Sequence, residues 1–473
     1  MLQGGITASM SAGSFVGALA AGFVSDRLGR RWALAIACMI WIVGAIIQSA
    51  SQNVAMLIAG RVISGLAVGI TSSQVCVYLA ELAPGKIRGR IVGLQQWAIE
   101  WGILIMYLIS YGCTFVSGPS AFRIAWGIQA IPGAILLGAL PFFPESPRWL
   151  AQRERWEEAE QVLADIHAKG NRDDPLVKAE MAEVREAFEV ARLQKDTSVL
   201  GLFGPKVWKR TLAGTSVQMW QQLLGGNVAM YYIVYVFNMA GLTGNVNLYS
   251  SAIQYVIFLV TTGIILPFID RIPRRLLLLT GSILCMIIHF AVAGTMASYG
   301  YPVDEVNGNA NLKWEMPPGN AARGVIAIVY IFVGIYGFTW APIGWIYASE
   351  VFPLKWRAKG VGLAAAVNWA FNFALAFFVA PAFTNIQWRT YIIFGVFCFV
   401  MTIHIFFTYP ETAGKTLEEI DTIFDANIPP WKSGQVKGML ENKIAQEQHR
   451  GVTTKEPDED GKSSGEAQRK ESV

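Results

Sequence analysis

Charge is scarce in this chain. Asp, Glu, Lys and Arg make up 15% of its 473 residues, where soluble domains average about 25%. The charge content departs from that of a soluble domain, the formal net charge of +4 is small and its distribution says more than its value, and no nucleic-acid partner is expected. Cysteine is sparse too: Cys38, Cys76, Cys113, Cys285 and Cys398 fall in or beside apolar stretches, at spacings that suit neither a disulfide framework nor a zinc site. No metal-ligand cluster, nucleophile elbow or phosphate-binding glycine loop with its lysine is present, so no enzyme activity, metal or cofactor is expected. Residues 1–24 lack a basic leader segment, which argues against a cleaved signal peptide and for a true membrane helix.

Apolar sequence is what the chain has in quantity, with 53% hydrophobic residues. Eleven stretches, approximately 6–24, 33–50, 55–79, 90–115, 124–143, 211–239, 249–269, 276–298, 323–348, 360–381 and 389–408, are long enough to cross a hydrocarbon core. They predict an all-α membrane protein. The loops between them sort by charge. One alternating set carries Arg27, Arg30, Arg31, Lys86, Arg88, Arg90, Arg271, Arg274, Arg275, Lys355, Arg357 and Lys359; the other has only Arg123, Lys313, Arg323 and Arg389. Positive loops stay inside. The basic loops, the segment 144–210 and the tail are therefore expected to be cytoplasmic, and the N-terminus of an eleven-span chain outside.

Two basic cassettes, 25-SDRLGRR-31 and 269-IDRIPRR-275, each sit between apolar spans and mark a duplicated architecture. We divide the chain into a five-span membrane half (1–143), a charged segment of amphipathic helices (144–210), a six-span half (211–409) and a largely disordered tail (410–473). In the segment, Trp156, Ala159, Val162, Leu163 and Ile166 recur at helical spacing, as do Val184 and Phe188. Glycines cluster inside spans, notably Gly13 with Gly17 and Gly60, Gly65 with Gly69, where close helix packing or bending explains them.

Polar side chains inside the spans carry the functional signal, since each costs free energy unless it is bonded or faces water. The densest cluster is 218-QMWQQLLGGNVAMYY-232, where Gln221, Gln222, Asn227 and Tyr231 share much of one helical face. Asn368, Trp369 and Asn372 form a second polar face, Trp340 and Trp345 flank Pro342 at an expected helix break, and Gln95 and Gln96 open the span 90–115. Amides donate and accept without charge and aromatic rings stack on sugar C–H faces, a set suited to a neutral polyhydroxylated ligand. Bonding between helices explains the central cluster alone equally well. Arg61 and Glu100 are the ionisable residues well within spans; Glu100 is one candidate anion for Arg61, and an acid facing an aqueous vestibule is the other reading. His289 and His404 read as local structural residues.

The segments 22-GFVSDRLGRR-31, 81-ELAPGKIRGR-90, 144-PESPRWL-150, 221-QQLLGGN-227, 350-EVFPLKWRAKG-360 and 410-PETAGKTLEE-419 resemble, in order, the marker motifs of the sugar-porter family of the major facilitator superfamily, and most of all its fungal hexose transporters. The resemblance implies transport of glucose or a similar hexose by alternating access, with proton symport expected, facilitative uniport as the alternative mechanism and a non-transporting sugar sensor as the alternative class. The implied partners are a sugar, protons and the lipid bilayer, and the implied location is the plasma membrane. Gln96, Gln221, Gln222, Asn227, Trp345 and Asn368 match positions that contact sugar in relatives, with Tyr231 and Trp369 nearby. Asp26, Arg30, Glu81 and Arg88 in one half and Asp270, Arg274, Glu350 and Arg357 in the other resemble a gate of ion pairs; Arg61 and Glu100 are the coupling candidates. Departures are Pro273 and Ala341 where glycine is usual, Phe258 where asparagine is frequent, and Ala413 where lysine is usual. The family has twelve spans, of which 6–24 matches the second, so a first helix that would supply an aspartate to Arg61 is expected to be missing through an incomplete start rather than a genuinely short product.

Overall fold

The computed structural model describes residues 2–193, 199–231, 237–239, 244–306 and 312–435. Its architecture is helical almost throughout, because a backbone in lipid must satisfy its own N–H and C=O groups within each segment. The first half contains α1 (Leu2–Leu28), α2 (Arg30–Ser49), α3 (Val54–Leu82), α4 (Arg88–Cys113), and α5 (Ser120–Gly127) continued by α6 (Ala130–Ala139). Three helices follow: α7 (Pro147–Gln152), α8 (Trp156–His167) and α9 (Pro175–Leu193). The second half contains α10 (Trp208–Leu223) with α11 (Gly226–Tyr231), α12 (Gly244–Ile265), α13 (Arg274–Tyr299), α14 (Asn320–Phe338) with α15 (Trp340–Glu350), α16 (Arg357–Asn385) and α17 (Arg389–Thr408). Among the described residues, nine helical segments are long and apolar enough to span a membrane, and α12 adds a shorter apolar helix over 250–265. Helical residues occupy each of the eleven apolar stretches read from the sequence.

Within the first half, α3 packs on α1 and α2, and α2 on α5 and α6; within the second, α13 packs on α17, α10 on α16, and α12 on α14. The halves meet where α1 and α3 face α16 and where α4 faces α12 and α15. Small residues set these distances. A Cβ at Gly13, Gly17, Gly65 or Gly69 would collide with the backbone of the facing helix in the α1–α3 pair, and one at Gly22 would lie 2.7 Å from Lys359 Cα across the halves. The outward faces are apolar: Trp32, Ile46, Ile105, Ile287, Phe399 and Phe407 are each at least half exposed, as lipid contact requires.

Two breaks differ from simple continuous helices. Gly225, at φ +93°, separates α10 from α11, a left-handed conformation that glycine adopts without a Cβ penalty. The break expected around Pro342 falls at Thr339 (φ −119°, ψ −77°), and Pro342 sits in the first turn of α15, where a missing N–H costs nothing. In the 144–210 segment, Ala159 and Leu163 of α8 are buried with Trp149, Leu150, Val177 and Met181, and Trp156 meets Phe188 edge-on at 5.1 Å. The segment after 410, expected to be largely disordered, folds over 410–435. There α18 (Leu417–Asp425) starts with a Thr416–Glu419 capping box, and Arg210 is paired with Asp421 and, at 2.7 Å, with Asp425. Residues 436–473, including the polar run from about 450, lie outside the described residues.

The glycine seam predicts a graded outcome. Gly69→Val, which drives a branched side chain into the α1 backbone, is expected to lower thermal stability in detergent well beyond the roughly 1–3 kcal/mol typical of overpacking. Gly102→Ala, where a Cβ meets nothing within 4 Å, should leave the melting temperature near that of the unmodified chain.

Candidate functional site

The amides singled out on α10 and α16 form one continuous hydrogen-bonded network. Gln222 Nε2 donates to Asn368 Oδ1 at 2.9 Å, and Gln222 Oε1 accepts from Asn227 Nδ2 at 2.7 Å and Asn372 Nδ2 at 3.3 Å. Asn368 Nδ2 donates to Gln221 Oε1 at 3.1 Å. Gln221 Nε2 reaches the carbonyls of Trp340 and Ala341, at 3.2 and 3.1 Å, where the α14–α15 break exposes them. Gln218, which the sequence reading passed over, accepts from Asn368 at 2.7 Å and donates to the Gly344 carbonyl at 2.9 Å. Its signal was present: it lies one turn before Gln221 and Gln222. All but Asn227 are buried. Trp345 is buried on α15, while Tyr231 closes α11 and its side chain lies outside the described residues.

The other half touches this network. Ser11 Oγ donates to Asn372 Oδ1 at 2.7 Å, and Trp369 Nε1 donates to Ser72 Oγ at 3.1 Å. Gln96 is not bonded into the amide cluster; its Nε2 donates to Glu100 Oε1 at 3.0 Å. The suggested Arg61–Glu100 pair does not form. The Arg61 guanidinium lies 5.3 Å from the Trp126 ring centroid and against Met10 Sδ, whereas Glu100 bonds Gln96 and, at 2.9 Å, Thr262 Oγ1 on α12. Arg61 thus meets α1 and Trp126 while Glu100 meets α12, tertiary neighbours that one-dimensional spacing does not encode. Phe258 stacks on Tyr336 at 5.6 Å and is buried. His289 bonds the Leu224 carbonyl, and His404 Nδ1 accepts from Trp220 Nε1.

At the basic end, both cassettes are locked in related ways. Arg30 Nε is 2.9 Å from Glu81 Oε2 and 3.7 Å from Asp26 at NH1; Arg274 NH2 is 2.9 Å from Asp270 and 3.6 Å from Glu350. Arg30, Arg274 and Arg357 are essentially fully buried. The charges interleave between halves: Arg357 lies within Coulombic reach of Glu81, and Arg88 of Glu350. Arg88 also donates to the Ala80 and Lys415 carbonyls, and Arg357 to that of Phe352. Asp270 crosses directly, accepting from the amides of Gly89 (2.8 Å) and Arg90 (2.9 Å) at the start of α4, where a carboxylate also opposes the helix dipole. Its counterpart Asp26 reaches across to Lys359 Nζ, at 3.7 Å.

Two acids missed in the sequence complete the design. Glu145 accepts from the backbone N–H of Arg30 at 2.8 Å and of Arg31, and Glu411 accepts from those of Arg274 (2.8 Å) and Arg275 (3.1 Å). Each caps the helix that follows a cassette. The repeated Pro-Glu-Ser and Pro-Glu-Thr triplets at 144–146 and 410–412 were the visible signal. Gly29 (φ +99°) and Pro273 (φ −56°) reach these equivalent caps through different backbones. A cavity of about 770 Å³ at the same end, lined by Lys206, Trp208, Arg210, Lys355, Trp356 and Asp421 among others, is separate from the amides and mixed in charge.

The family profile described as Sugar (and other) transporter matches residues 1–424. The chain belongs to that sugar transporter family. It is 50% identical over 436 residues to a high-affinity glucose transporter of Kluyveromyces lactis, covering 92% of this chain and 79% of that protein. Its fold matches the major facilitator superfamily proton:xylose symporter XylE bound to 6-bromo-6-deoxy-D-glucose, with a TM-score of 0.76, 26% identity and 89% of each chain covered. An inward open structure of XylE from E. coli, again at 26% identity and 89% coverage of each, scores 0.64. The chain is thus a membrane-embedded sugar transporter of the major facilitator superfamily, and not an enzyme.

In this transporter the helices α7–α9 are fastened to the ion-paired cluster at the basic end. Arg148 NH1 donates to the Glu81 carbonyl at 3.0 Å, Ser146 Oγ bonds the Glu81 carboxylate, and Trp149 Nε1 donates to the Asp26 carbonyl at 3.1 Å. His167 Nδ1 lies 2.6 Å from Glu180 Oε2 and Nε2 lies 2.9 Å from the Leu82 carbonyl at the end of α3. Both neighbours accept, so only the imidazolium satisfies both. Burial opposes that charge, as does Arg148, but the Glu180 bond and charge and the Leu82 bond outweigh them, raising the pKa above 6.5. A raised pKa gives stabilisation that is complete below the unfolded value and lost as pH rises through the folded one. Amide-exchange protection factors in α8 and α9 should therefore fall across that window in the unmodified transporter. They should be nearly pH-independent in His167→Gln.

Proposed function

We propose that this sugar transporter carries glucose or a similar hexose by alternating access in symport with protons, at the plasma membrane, with the basic face and C-terminus in the cytoplasm. The observation that carries the reading is the uncharged amide network of Gln221, Gln222, Asn227, Asn368 and Asn372. Each amide both donates and accepts. A sugar hydroxyl does the same, so it can replace an amide–amide bond without leaving either member unpaired. Among the described residues the network holds no charged side chain to meet an ionic substrate. Trp345 and Trp369 are assigned the flanking aromatic surface, and Gln96, bonded to Glu100 rather than to the amides, is assigned to the sugar site from the first half. The glucose substrate is favoured by the K. lactis relative, and proton coupling by the symporter XylE.

For the transport cycle, the ion pairs of Asp26, Arg30, Glu81, Arg88, Asp270, Arg274, Glu350 and Arg357 act as the inner gate. The support is their interleaving across the halves, together with the lower score against the inward open XylE. Arg61 and Glu100 are the candidates for coupling. The boundaries at 143, 210 and 409 belong to the same proposal, supported by the grouping of the helices into two membrane halves and a helical insert.

Labelled-glucose uptake in carrier-deficient cells tests the reading. Gln222→Ala should raise the half-saturating concentration about tenfold, equivalent to ~1.4 kcal/mol, with the protein still in the membrane. Collapse of the pH gradient should abolish accumulation. Accumulation unchanged by that collapse would leave a uniporter, and signalling without uptake would leave a sensor.

A further inference from the structure

The hydrogen-bond contacts around the Glu100 carboxyl are all satisfied together only in its neutral form. Its residue is 1% exposed on α4. Oε1 lies 3.0 Å from Gln96 Nε2 and 2.9 Å from Thr262 Oγ1, while Oε2 has no partner. Among the described residues, no charged group from α3, α4, α12, α14 or α15 pairs with it; Arg61 on α3 is held at Trp126 instead. Thr262 Oγ1 is also 2.9 Å from the Gly337 carbonyl. A hydroxyl has one hydrogen, and here it faces two oxygens that would both accept. With Glu100 ionised, Thr262 bonds one of them and forsakes the other, and a buried anion keeps one or two donors and no cation, a costly state. With Glu100 protonated, its O–H donates to Thr262, Thr262 donates to Gly337, and Gln96 donates to Glu100. Every contact is then used once.

We propose that Glu100 is the proton-binding residue of the transport cycle, protonated while the basic face is closed and deprotonated when α4 parts from α12. This rests on the proton-symport reading above. Thr262 and Gly337 belong to the second half, so the proton itself bridges the halves. Opening the basic face removes Thr262 as acceptor and admits water, which hydrates the carboxylate and takes the proton. Gln96 connects this event to the substrate. It is a sugar-site position and the donor to Glu100, so a sugar hydroxyl engaging its amide is one bond from the proton.

Purified transporter in liposomes loaded with a pH-sensitive dye gives the test. A glucose gradient should drive proton movement through the unmodified chain and none through Glu100→Gln, whose carboxamide imitates the neutral acid. Sugar counterflow, which needs no net proton movement, should remain measurable in that variant. Proton movement in Glu100→Gln at the unmodified stoichiometry overturns the assignment and leaves symport standing. No sugar-driven proton movement in the unmodified chain overturns symport and the assignment together. Thr262→Val, which strips the acid proton of its acceptor, should move the pH profile of proton coupling to lower pH. An unchanged profile likewise overturns the proposal.

Discussion

A guanidinium withdrawn from water must be met by anions and carbonyls inside the protein, and the basic end of this transporter is built around three that are. Arg30, Arg274 and Arg357 are buried where the two halves meet. Removing one partner of a buried pair typically costs about 3–5 kcal/mol, so the groups around them are not free to drift. Glu81 is held by Arg30, Ser146 and the reach of Arg357. Asp270 serves Arg274 and the first amides of α4 together. Glu145 and Glu411 fix the helix starts that aim these arginines. In the transport cycle proposed above, this cluster opens as a unit when water replaces its partners, and a ligand shifts the two proposed states only by its differential affinity.

Above this end the halves are joined by single hydrogen bonds: Trp97 to the Leu259 carbonyl, Glu100 to Thr262, Ser11 to Asn372 and Trp369 to Ser72. Of the last two, one ends on Asn372 of the amide network itself and the other starts from Trp369, the chain neighbour of Asn368. A ligand that rearranges those amides therefore acts on the contact between the halves without any intermediate element. Glycines at the α1–α3 and α1–α16 crossings permit the close approach on which these short bonds depend.

Much of this was legible in the sequence because the bilayer reduces the problem to one dimension. Apolar length gave the helices, and the amides of 218–227 and 368–372 marked the polar interior. What was hidden is tertiary. The Arg61–Glu100 pairing failed because spacing does not tell which neighbour a helix face meets. Glu145 and Glu411 stood in quoted motifs, yet their targets at Arg30 and Arg274 lie more than a hundred positions away, so no local rule assigns them. Residues 410–435 read as polar tail but fold, since α18 is anchored by Arg210 from another element. The helix break was placed at Pro342 because proline is the visible breaker, whereas Thr339 absorbs the bend and proline takes the first turn that follows.

The central claim is that the interleaved charges at the basic end, with the Asp270–α4 and Asp26–Lys359 contacts, hold the two halves together in this conformation. The most direct measurement is a spin-label distance between Arg27→Cys and Arg271→Cys, exposed positions in the two cassettes, by pulsed electron resonance with and without Glu81→Gln and Glu350→Gln. The account predicts a single short-distance population in the sugar-free transporter that moves to longer distances when both acids are neutralised. A distance distribution unchanged by that double neutralisation would contradict it.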